Sequence, residues 1–113
     1  MTTGILEGIR VLDLSSHVSG PFCAKLLADY GAEVIKVEAP DSGDVSRRSG
    51  PFVGDDPHPD KSVQFLYLNS NKRGITLDLR KPEGRQVFYR LTGVSDVVFD
   101  AFRPTVLPRM GLD

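Results

Sequence analysis

The stretch Ile9–Glu38, "IRVLDLSSHVSGPFCAKLLADYGAEVIKVE", decides the fold of this chain. Ile9 to Leu14 is rich in branched aliphatic residues, with Gly8 before it and Ser, His, Gly and Pro after it, which is how a short buried strand is punctuated. From Pro21 to Tyr30 the residues Phe22, Leu26, Leu27 and Tyr30 recur at helical spacing. Pro21 suits the first helical position, and Gly31 the left-handed position that closes a helix. Ala32–Glu38, carrying Val34, Ile35 and Val37, reads as a second strand. Strand, helical crossover and strand in this order predict two parallel strands joined right-handedly, with the helix laid on one face of the sheet.

Beyond this unit the chain changes character. Ala39 to Lys61 is rich in Pro, Gly, Asp and Ser without a consistent period, so it reads as a long loop, either a functional lid or a surface excursion. "VQFLYL", Val63–Leu68, is too short for periodicity to separate a helix from a buried strand. In "GITLDLR" the residues Ile75, Leu77 and Leu79 alternate with Thr76, Asp78 and Arg80, the pattern of a half-buried strand. Pro82 then opens a helix whose Val87, Phe88 and Leu91 share a face and which Gly93 can end; Lys81 offers it no side-chain acceptor as N-cap. "DVVFDAF" reads as a fourth strand, and "RPTVLPRMGLD" enters another helical turn. The predicted architecture is α/β, a mostly parallel sheet with flanking helices.

Composition narrows the class of function. At 113 residues the chain is one small domain or part of a larger one. Its 40% hydrophobic and 26% charged residues, with a mean hydropathy of -0.16, describe an ordinary soluble protein rather than a disordered tail. Fourteen Lys and Arg against fifteen Asp and Glu leave a net charge of -1, so no basic field marks a nucleic-acid partner. No run approaches the roughly 20 apolar residues of a membrane span, and "MTTGILEGIR" lacks the features of a secretion signal. The single Cys23 can make neither an intrachain disulfide nor a CxxC metal knuckle. These features together read as a cytoplasmic protein.

The standard phosphate-binding signatures GxGxxG and GxxxxGK[ST] are missing, which argues against a conventional NAD site or an NTPase. Ligands of open α/β sheets gather outside the carboxyl ends of the strands, where "SSHVSGP" falls; the same residues also serve a plain strand-to-helix turn. Lys72 and Arg73 precede the third strand, and Arg103 and Arg109 follow the fourth. These cations suit phosphate oxygens, though spacing alone favours scattered surface charges over convergence. His17 lies beside Ser15, Ser16 and Ser19, but no GxSxG elbow supports a nucleophile there. Asp55, Asp56, His58 and Asp60 resemble a metal cluster only in composition, and no metal is assigned.

With its elements in this order, the chain resembles the amino-terminal part of the family III coenzyme A transferases, the group that contains carnitine and bile-acid CoA-transferases, formyl-CoA transferase and α-methylacyl-CoA racemase. The resemblance is carried by "LEGIRVLDLS" with "GPFCAKLLADYGAEVIKVE", "GD" with "SRRSGP", "LNSNKRGITLDLRKPEGR", and "SDVVFDAFRP" with "LPRMGL". It implies that residues 1–113 form the opening segment of a larger Rossmann-like domain that binds CoA. Its substrates would be acyl-CoA and a carboxylic acid acceptor, and its full-length form a homodimer. The implied ligand residues are Val18 and Ser19 in the first connection, then Leu68, Asn71, Lys72 and Arg73, then Phe102, Arg103 and Arg109. Two positions depart from the family pattern: Ala39 stands where many members carry an arginine after "KVE", and Ala101 where they carry an asparagine. The family's nucleophilic aspartate lies beyond the motifs present, and no aspartate of this chain matches its context, so no catalytic residue is assigned.

Overall fold

The structure is a computed structural model that describes residues 4–112. Four strands, β1 (Arg10–Asp13), β2 (Glu33–Glu38), β3 (Arg73–Thr76) and β4 (Val97–Phe99), form one sheet in the order β3-β2-β1-β4. Every pairing is parallel: Val11 lies opposite Val34 and Val97, and Val37 opposite Ile75. The crossovers are α1 (Ser19–Asp29) between β1 and β2, α2 (Val63–Leu68) after the long loop, and α3 (Pro82–Thr92) between β3 and β4, with a short α4 (Val106–Arg109) at the end. The predicted α/β class and parallel strand–helix–strand opening hold.

The two sheet faces bury different chemistry. On one, Val11, Ala32 and Val34 pack against Ala24 and Ala28 of α1. On the other, Leu12, Leu14 and Val37 pack against Phe88 of α3 and Leu112, with Ile75, Leu77 and Leu79 added from the β3 side. Successive strand residues point to opposite faces, so β1 and β2 divide their apolar residues between the two layers.

α1 differs from its sequence reading in two respects. It starts two residues before Pro21, at Ser19, and the proline is tolerated in the first turn because its missing N–H would have no partner within the helix there. The large apolar residues are also not the buried ones: Phe22, Leu26 and Tyr30 are 39%, 40% and 60% exposed, while Gly20, Ala24 and Ala28 face the sheet. Small residues at every fourth position let the helix lie close to β1 and β2. A Cβ added at Gly20 would meet Ser15 Cβ at 2.4 Å, so nothing larger fits. Gly31 takes φ 107°, as expected of the residue that closes the helix.

The Pro- and Gly-rich stretch after β2 is tied down rather than a free excursion. It contains two single 3-10 turns, Val45–Arg48 and Val53–Asp55, and Asp44, Ser46 and Ser62 within or beside it are buried. Ser62 Oγ lies 2.7 Å from the carbonyl oxygens of both Ser46 and Ser49, and Ser62 caps α2 by accepting from Phe65 N. Arg47 stacks on the Phe65 ring at 3.8 Å and grips both carboxylate oxygens of Glu38. Val63–Leu68, which the sequence left open between helix and strand, is helical; the cap at Ser62 favours that state.

β3 is shorter than the alternating run predicts. The strand ends at Thr76; Leu77 N still donates to Glu38 O of β2 at 2.9 Å, and Leu77 and Leu79 continue to pack on the apolar face beyond it. α3 runs over these residues at close quarters, since a Cβ at Gly84 would fall 1.9 Å from Asp78 O. As expected, α3 has Pro82 at its start and no side-chain cap from Lys81.

Candidate functional site

The carboxyl ends of all four strands open onto one rim. There a cavity of about 290 Å³ is floored by Leu14 and Val37 and walled by Leu77, Leu79, Phe102 and Met110, with Glu38, Ala39, Asp41, Ser42, Asp78 and Arg80 at its margin. This is the place where parallel sheets bind ligands. Its floor is the exposed end of the apolar layer between the sheet and α3. An apolar floor and wall thus meet a charged margin.

The margin is not neutral. Glu38 is held by the two-point grip of Arg47, which offsets the burial that would otherwise raise its carboxyl and keeps it below the usual range. Arg80 Nε lies 3.1 Å from Asp78 Oδ1 and its Nη2 lies 3.5 Å from Asp41 Oδ2, but the side chain remains 66% exposed. Exposed pairs of this kind stabilise little, so the guanidinium stays available to an anionic ligand.

The predicted ligand residues separate into three places. Phe102 lines the cavity, Val18 and Ser19 open α1 at the same rim, and Arg103 and Arg109 are exposed just beyond β4. Arg103 and Arg109 make no side-chain hydrogen bond or ion pair with another described residue. Leu68 is buried in α2, which packs against α1, on the opposite face of the sheet from the cavity floor. Asn71 and Arg73 lie at the other edge of the sheet: Asn71 Nδ2 donates to Asp29 Oδ1 at 2.7 Å, and Arg73 Nη1 to Glu33 Oε2 at 2.9 Å. Four converging cations are therefore not what the fold makes.

Lys72 lies between these places. Its ammonium has three donors, and all three meet protein acceptors: Asp13 Oδ2 at 2.8 Å, Pro21 O at 3.0 Å and Asn69 Oδ1 at 2.7 Å. The side chains of Lys72 and Asp13 are 2% and 0% exposed. Burial pulls the Lys72 ammonium below the usual lysine value, and the Asp13 carboxylate only partly restores it. The remaining Asp13 oxygen accepts from Ser15 N and Ser15 Oγ. Lys72 thus braces the rim from beneath, joining the end of β1, the first turn of α1 and the end of α2.

A second buried pair lies beside it. Lys36 Nζ is 2.7 Å from Asp44 Oδ2, an ion pair without hydrogen-bond geometry at that oxygen, and it donates to Ser15 O at 3.1 Å. Burial alone would raise the Asp44 carboxyl; Lys36 and the amides of Ser46 and His17 outweigh it and bring it down to about 2.

Sequence reasoning missed the cavity residues Leu77, Leu79 and Arg80. Their signal was present, because the alternation of "GITLDLR" runs past the point where a strand is needed. Residues at the carboxyl end of a parallel strand are the ones that meet a ligand.

With this geometry established, comparison with known proteins is direct. The family model for CoA-transferase family III matches residues 6–113, and the chain belongs to that family. It is 49% identical over 109 residues to a formyl-CoA:oxalate CoA-transferase of Rhodopseudomonas palustris strain TIE-1, covering 96% of this chain and 25% of that protein. A relative of the same name from Bradyrhizobium sp. strain ORS 278 is 48% identical over the same span. Among solved structures, Rv3272 of Mycobacterium tuberculosis superposes with a TM-score of 0.84 at 40% identity, over 98% of this chain and 29% of that one. A CAIB/BAIF family protein from Brucella suis gives 0.85 at 38% identity, over 99% and 29%. The chain thus spans about a quarter of the length of the curated relatives it matches. No helix among the described residues is long and apolar enough to cross a membrane.

Two stability measurements follow. Lys72→Met leaves Asp13 buried and unpaired, so urea denaturation at neutral pH should show a loss of about 3–5 kcal/mol. A loss under about 1 kcal/mol would mean that the pair is not the brace described here. Because the folded-state value of Asp44 lies below the usual 3.8, its contribution is present above that value and is lost as pH falls toward about 2. That contribution is about 2 kcal/mol. Denaturation between about pH 5 and pH 2 should therefore be less pH-dependent in Asp44→Asn by roughly that amount.

Proposed function

We propose that this chain supplies CoA-binding surface for a family III CoA-transferase, an enzyme that moves coenzyme A from an acyl donor to a carboxylic acid acceptor. The observation that carries the reading is the apolar cavity at the carboxyl rim of the parallel sheet, in a chain whose family match runs from residue 6 to 113. In this reading the adenine ring of CoA lies against Phe102 and Leu79. Arg80, Arg103 and Arg109 meet the phosphates, and Val18 and Ser19 contribute from the start of α1. Lys72 acts by holding this rim in place.

The aspartyl nucleophile of such a reaction belongs, in this reading, to polypeptide outside these residues. Two of the acids nearest the rim are committed elsewhere, since Asp13 and Asp44 are buried in ion pairs. The chain alone is expected to bind CoA and transfer nothing. Titration calorimetry with CoA should give a dissociation constant that rises about tenfold in Arg109→Ala and in Arg80→Ala, the scale of one charge-assisted hydrogen bond. A folded sample that takes up no CoA would refute the reading.

A second reading, assembly with a longer family member, is favoured by one feature. Phe22, Leu26 and Tyr30 of α1 form an exposed apolar stripe, and Tyr67 lies beside it, with Lys25 Nζ 4.9 Å from its ring centre. Such a stripe marks a protein contact, and the homodimer implied by the family would use a surface of this kind. The chain should be retained by an immobilised full-length family III transferase, and Leu26→Glu should reduce retention about tenfold, as burying a charge in an apolar contact requires. Retention indifferent to that substitution would remove this support.

A further inference from the structure

Asp44 meets the β1–α1 connection and the cavity margin at the same time. Its Oδ1 accepts from His17 N at 3.0 Å, Ser46 N at 2.8 Å and Ser46 Oγ at 2.8 Å. The adjacent Val45 N donates to Ser16 Oγ at 3.1 Å, and Lys36, paired with Asp44, donates to Ser15 O. Three consecutive residues of the connection are each held by a different atom of this bracket. On its other side, Asp44 N donates at 2.8 Å to Oε1 of Glu38, which lines the cavity.

The grip on His17 matters because its backbone is strained. His17 has φ 77°, a conformation that the Cβ of any L residue disfavours. Such a residue persists only where its surroundings hold it, and here the holding group is a buried carboxylate placed at its N–H. Relaxation would not stay local. Gly20 packs so closely that a Cβ there would meet Ser15 at 2.4 Å and Ala101 Cβ at 3.3 Å, so the connection leans on the residue next to Phe102.

We propose that Asp44 is a positioning residue, which holds the Ser15–His17 connection with His17 in its strained form and thereby sets Val18, Ser19 and the Phe102 side of the cavity for the ligand. The effect on the ligand rests on the CoA reading above; the effect on the connection does not. Two measurements on the chain test it: amide hydrogen exchange at His17, and CoA titration under folded conditions. In Asp44→Asn, which keeps the shape but lacks the charge, His17 exchange should quicken and the CoA dissociation constant should rise, each about tenfold, the scale of one charge-assisted hydrogen bond.

Adding His17→Gly to that variant should bring the constant back to within about threefold of the original, because glycine enters the left-handed region without help. A general loss of stability would not be repaired in this way. If Asp44→Asn does not fold, Ser16→Ala leaves both buried ion pairs intact and should show the same changes at about threefold. Folded variants whose His17 exchange and CoA affinity match the original overturn the proposal, as does a double variant that binds no better than Asp44→Asn. If the unsubstituted chain binds no CoA, the ligand reading falls and the exchange measurement alone decides what Asp44 does.

Discussion

Lys72 leaves the backbone just before β3, and its charge ends at Asp13, the last residue of β1, with both side chains out of water. Taking two ions from water costs several kcal/mol each, and their attraction repays this only when the remaining donors and acceptors are also met. Here they are: the ammonium has three acceptors, and the second oxygen of Asp13 is occupied by Ser15. That saturation gives the pair its architectural consequence. Pro21 and Asn69 belong to helices that share no strand with Lys72, so one ammonium fixes the positions of α1 and α2 relative to the end of β1.

The same sheet carries opposite solutions on its two faces. Toward α1 the strands offer Val11 and Val34, then charge at Asp13 and Lys36, and the helix answers with glycine and alanine so that it can come close. Toward α3 they offer Leu12, Leu14 and Val37, and larger side chains fill the gap. A thin, ion-braced layer beneath the rim and a thick apolar layer opening at it leave the cavity on the α3 side. The exposed stripe of α1 follows from the same economy: a helix that buries its small residues must turn its large ones outward.

Ala39 shows how family membership and local geometry interact. It borders the apolar cavity and a second cleft of about 220 Å³, between which Glu38, Asp41 and Ser42 are also shared. Ala39 and these three residues form the ridge common to the two spaces. The guanidiniums nearest them are Arg80, exposed at the margin, and Arg47, committed to Glu38.

Much of the fold was legible in the sequence because its signals are local. Branched runs bounded by glycine and by serine or proline mark β1 and β2, Pro82 and Gly93 mark α3, and the crossover length makes the strands parallel. The α1 face was not legible. Phe22, Leu26 and Tyr30 repeat at the same interval as Gly20, Ala24 and Ala28, and only the distance from helix to sheet selects between the two faces. The cavity was half legible: Phe102 was read from the family motif, whereas Leu77 and Leu79 looked like ordinary strand residues. Lys72 marks the limit most clearly. Its residue type and neighbours identified it as a cation at a strand edge, but not whether it faces solvent or protein. That depended on Asp13, 59 residues away, because the fate of a charge is set by the groups within about 3 Å of it, and only the tertiary fold brings those groups there.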